Sequence, residues 1–89
     1  MTEEQVRRHI DRWVWLTWRD PQGYAGWQDE PLTLRALRAT QPVRVLGING
    51  EGDAVVAGCI DEDGTPSNVD VMPCGCVESI RRMKGAPKR

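Results

Sequence analysis

Phenylalanine is absent from this chain, and histidine and tyrosine occur once each. The interior must therefore be assembled from the four tryptophans together with Val, Leu and Ile. Also missing is any apolar run of the length a signal peptide or membrane span requires. The start reads Met-Thr-Glu-Glu-Gln-Val-Arg-Arg, which predicts a location in the cytoplasm and no membrane partner. Charge of one sign is lacking too: twelve basic against thirteen acidic side chains leave a net charge of −1. No global field then drives non-specific nucleic-acid binding. Cysteine is scarce and odd in number, three in all, which predicts reduced thiols rather than a disulfide framework, with Cys59 as a small core residue.

The constellations that carry chemistry are thin. There is no G-x-S-x-G, no Gly-rich phosphate loop, and no second histidine to serve a nucleophile. The sequence therefore predicts a non-enzymatic protein with no catalytic residues and no cofactor. Cys74-Gly-Cys76, Cys59 and His9 offer four soft donors, but structural zinc sites space paired cysteines by two or more residues, and His9 falls on the outer part of a predicted helix. Small residues at a tight turn are the reading adopted, with no metal. The acidic run Asp61-Glu-Asp-Gly64 starts like a calcium loop, yet the twelfth position is Met72 where a closing Glu is needed, so it is read as a solvated turn.

What is present organises into one domain, since 89 residues leave room for a single core. Residues 1–12 are expected as a helical extension: Thr first, acids early, bases later, and Val6, Ile10 and Trp13 spaced for one face. Trp13 to Trp18 reads as a first strand with Val14, Leu16 and Trp18 on one face and Trp13, Trp15 and Thr17 on the other. Asp20 to Gly26 is turn chemistry ending at Trp27, a candidate binding loop that also holds Tyr24. Asp29-Glu-Pro31 predicts a helix running to about Ala39. Strands follow over 43–48, 54–60 and 69–72, separated by Asn49-Gly-Glu-Gly-Asp53 and by the acidic turn. Cys74 to Val77 is expected as a tight single turn and Glu78 to Met83 as a closing strand. From residue 84 a basic tail is expected.

That order predicts a mainly β protein with short helices, an α+β arrangement: a five-stranded SH3-like, or Sm-like, small barrel over 13–83. It would carry an N-terminal helix and a helix between strands 1 and 2. The string Val14-x-Leu16-x-Trp18-x-Asp20, then Trp27, Val45-x-Gly47 and Met72-Pro73-x-Gly75-x-Val77-x-x-Ile80 resembles a group of small uncharacterised phage and prophage proteins. These typically show a V-x-V-x-W-x-D start and an I-P-x-x-x-I-x-x-I finish. The resemblance covers about 14–83. It departs at Cys-Gly-Cys, where relatives often carry a Lys after the Pro, so no role of that Lys transfers.

The resemblance implies a phage origin; with no catalytic constellation in the sequence, the expected function is that of an accessory protein that binds and inhibits a host or anti-phage defence component in the host bacterial cytoplasm. Two alternatives remain open: a nucleotide- or single-stranded nucleic-acid-binding barrel, or a structural phage component. Homo-oligomers fit all three. The candidate contact residues are Arg12, Trp13, Trp15, Arg19, Tyr24, Arg44, Arg81 and Arg82, an aromatic and guanidinium set of the kind that binding hot spots favour. Trp18 and Trp27 are expected in the core. The role of Trp13 and Trp15 depends on whether the N-terminal helix covers them.

Overall fold

The computed structural model describes residues 1–20 and 27–84. Residues 21–26, with Tyr24 and most of the expected binding loop, and the tail from 85 lie outside them.

β1 (Trp13–Asp20) forms where branched and aromatic residues alternate, and its inward residues Val14 and Leu16 are sealed from solvent. β2 (Leu37–Ile48) and β5 (Val77–Arg82) flank it; β3 (Asp53–Ile60) and β4 (Pro66–Pro73) continue beyond β2. The fold is thus mainly β, one antiparallel sheet of five strands in the order β4-β3-β2-β1-β5. Its edges, β4 and β5, are not paired with each other.

β2 changes neighbours along its length. From Leu37 to Arg44 it pairs with β1, and from Arg44 to Ile48 with β3, with a register shift between Val45 and Gly47. That irregularity bends the strand. Val14 and Leu16, Val43 and Val45, Ala54 and Val56, Met72 and Val77 then meet in one core, with Trp18, Ile48 and Ile80 packed at its margin. Pro42, which has no N–H to give, lies in the half of β2 that needs to satisfy β1 alone.

The two hairpin turns share one construction. Asn49 Oδ1 accepts from the N–H of Glu51 and of Asp53, both at 2.9 Å. Asp61 Oδ1 accepts likewise from Asp63 at 2.9 Å and Thr65 at 2.8 Å. Each turn places a glycine, Gly52 or Gly64, at positive φ (83° and 84°) one residue before the chain returns. The acidic run is therefore a turn whose first carboxylate holds its own backbone.

The expected helix from Asp29 to about Ala39 does not form. Only Pro31–Thr33 makes a 3-10 turn, and Leu37 onward joins β2. Leu32 and Leu37 stay exposed, and from Leu37 onward the chain gains a full ladder with β1 in place of helical bonds that a short isolated helix holds poorly. At the N-terminus the helix is real but shorter than read: α1 spans Glu3–Arg7, started by Thr2, whose hydroxyl accepts from Gln5 N–H while the Gln5 side chain accepts from Thr2 N–H. Asp11, at φ 65°, turns the chain out of it, and the Asp11 N–H (2.8 Å) and Arg12 carbonyl (3.1 Å) pair with Val45. Val6 is fully buried in the core, and α1 packs against β2 and β3.

Cys74–Cys76 makes a 3-10 turn between β4 and β5, as the tight-turn reading required. The Cys74 thiol is buried and donates to the Gly52 carbonyl (3.3 Å). The carbonyls of Cys74 and Val77 accept from the Met1 nitrogen at 3.0 and 2.7 Å. The placing of Cys59 in the core is corrected: it lies opposite Ser67 and is exposed, and Cys74 is the core thiol. Trp27 is corrected too, being fully exposed rather than core. It lies outside every strand and helix, so no pairing draws it inward.

Candidate binding interface

Alternation along β1 sets the geometry of the site. With Val14 and Leu16 committed inward, Trp13, Trp15 and Thr17 must face away from the core. Register then chooses their companions, because residues directly opposite in antiparallel strands share a face. Trp15 lies opposite Pro42 on one side and Arg81 on the other, giving a row Pro42–Trp15–Arg81 across three strands. One step along, Trp13 lies opposite Arg44, Arg44 opposite Ala57, and Ala57 opposite Val69, a row across four strands. Beyond it Val55 faces Val71.

The outer face is therefore more apolar than a solvated sheet face requires. Trp15 is 38% exposed, Val69 45% and Val71 56%. Ala57 is fully buried although it belongs to this face and not to the core cluster. Arg44 is 9% exposed, and its guanidinium lies 3.7 Å from the mostly exposed Asp11 carboxylate. The helix does not cover this face in the way first considered, since α1 leans on β2 and β3 and sends Val6 to the opposite, inner side.

Seven of the eight candidate residues lie among the described residues and can be placed relative to this face. Trp13, Trp15, Arg44 and Arg81 meet in the two rows. Arg12 immediately precedes them, bonded through its carbonyl to Val45. Arg82 lies opposite Val14, on the other side of β5 and exposed. Arg19 does not join them. It sits at the far end of β1 opposite Arg38, where Arg19, Arg35 and Arg38 line a shallow cleft of about 490 Å³ with Leu34 and Leu37. Arg38 Nε donates to Glu78 Oε2 at 2.7 Å, tying this end of β2 to β5. Tyr24 lies outside the described residues.

The sequence did not single out Pro42, Val69 or Val71. Pro42 falls just before the expected strand over 43–48, and the valines fall inside the expected strand over 69–72. Only the register, a product of non-local pairing, brings them beside the tryptophans. Conversely His9, expected on an outer helix face, sits in the turns after α1 with Nδ1 buried and without a hydrogen-bond partner among the described residues. Burial, and then the positive charges of Arg12 and Arg8, hold its pKa below the usual 6.5. Among the described residues no three His, Cys, Asp or Glu side chains converge on a metal-sized site, and no helix is long and apolar enough to cross a membrane. Compared with known families, curated proteins and solved structures, the chain matches none.

Proposed function

We propose that this chain is a non-enzymatic accessory protein of phage type that binds a host or anti-phage defence protein in the bacterial cytoplasm and blocks it by occupancy. The contact surface is the outer face around Trp15. One observation carries the reading: a large indole stays 38% exposed on the face opposite the core, set between Pro42 and Arg81. An aromatic ring beside a guanidinium on a rigid sheet is the type of anchor that dominates protein interfaces. In the same reading the sheet curls into an SH3-like small barrel, which is supported by the strand order, the change of neighbours at Arg44 and the 3-10 turn before β5.

Co-purification from bacterial lysate with a C-terminal tag tests the proposal. The wild type should retain one protein in stoichiometric amount, and Trp15→Ala should lose it while keeping its circular dichroism. Retention unchanged by Trp15→Ala, or no protein retained, overturns it. The same indoles beside Arg44 and Arg81 also suit base stacking with phosphate pairing, the arrangement behind the nucleic-acid alternative. Tryptophan fluorescence titrated with oligo-dT at two salt concentrations separates the two, a large salt-dependent change favouring the nucleic acid.

A further inference from the structure

Of the two edges of the sheet, one is guarded and one is not. β4 is bracketed by Pro66 and Pro73, broken by the left-handed Asn68 (φ 52°), and carries Asp70, all of which discourage a further strand. β5 has no proline and no irregular residue beyond the shift opposite Thr17 and Trp18. Its one acid, Glu78, is bonded to Arg38. Its other charges, Arg81 and Arg82, are exposed and make no ion pair or side-chain hydrogen bond among the described residues. Alternate residues of β5 turn both backbone groups away from β1; the Met1 nitrogen takes the Val77 carbonyl at the start of the strand (2.7 Å), and among the described residues no strand receives the rest.

We infer that β5 is the docking edge for an extended acidic segment of the partner protein, which adds to the sheet as a sixth strand. Backbone bonds to the open edge would supply affinity, and side-chain alternation would supply selectivity. On the outer side, next to Arg81 and one strand from Trp15, the added strand presents carboxylates. On the inner side, beside the half-buried Ile80, it presents apolar residues. The preferred sequence therefore alternates acidic and apolar residues. This rests on the reading of the Trp15 face as a protein-binding surface, and it names the chemistry of what binds there.

The test uses the full chain and a fluorescein-labelled peptide alternating Glu and Val, with binding read by anisotropy and by hydrogen exchange. Saturable binding with slowed exchange at the β5 amides is expected. A peptide with Lys for Glu, one with a central Pro, and the double variant Arg81→Glu, Arg82→Glu should each weaken binding about tenfold or more. No binding up to about 1 mM overturns the inference. So does undiminished binding of the Pro peptide, tighter binding of oligo-dT than of the Glu/Val peptide, or a dimer of the chain alone with its β5 amides already protected. If lysate capture depends on Trp15 but the acidic peptide fails, the inference falls and the binding face stands. If the peptide binds β5 but Trp15→Ala leaves capture unchanged, the face falls and the edge stands.

Discussion

At the residue scale, His9 and the three thiols report how environment sets chemistry. The His9 ring is partly buried with Arg8 and Arg12 close by, so its folded pKa lies below 6.5 while the unfolded chain keeps the ordinary value. Between those two values the unfolded state holds more protons, and stability must fall as pH falls. Urea midpoints of the wild type should therefore drop from pH 7 to pH 5 by more than those of His9→Asn; equal drops would remove His9 as the cause. For Cys74, burial raises the pKa, with the Glu3 carboxylate adding to it, so its thiol stays protonated. Exposed Cys59 should react with a disulfide reagent within the mixing phase, partly covered Cys76 more slowly, and Cys74 only as the chain unfolds. Rapid reaction of all three would contradict the burial of Cys74 under Gly52.

At the scale of elements, the turns are the most predictive parts. Gly64 sits at φ 84° with open space around it, so Gly64→Ala should destabilise through backbone strain alone, by about 1 kcal/mol. Asp61→Ala, which frees two backbone N–H groups, should cost a similar amount, and Asp61→Asn almost nothing, because the amide oxygen can accept the same bonds. Thermal melts of the three variants check this ranking. These turns were legible because Asn-Gly and Asp-x-x-Gly carry their geometry locally. β1 was legible from Trp13-Val-Trp-Leu, whose alternation needs no partner to be read. The start of β2 was not. Leu32, Leu34 and Leu37 after Pro31 imitate a helix, and only the ladder to Trp18 and Asp20 shows that 37–40 are extended. The rows of the outer face share that limit: Trp15 was singled out from the sequence, but Pro42 and Arg81 became its neighbours only through pairing across 27 and 66 residues of chain.

At the scale of the whole molecule, the sheet divides the work between its faces. The inner face spends Val14, Leu16, Val43, Val45, Val56 and Val77 on one core, which α1 closes with Val6. The outer face keeps Trp15, Val69 and Val71 in contact with solvent, a distribution that folding does not require and on which the proposed binding face rests. β1 carries sealed core residues and the proposed contact residues in alternation, so the division can be measured there. In urea unfolding followed by circular dichroism, Leu16→Ala should cost about 3 kcal/mol, as truncation of a sealed core leucine does. Trp15→Ala should cost less than about 1 kcal/mol, as a change on a partly exposed face does. Equal losses for the two variants would mean that Trp15 belongs to the core, and would contradict the assignment of the outer face to binding.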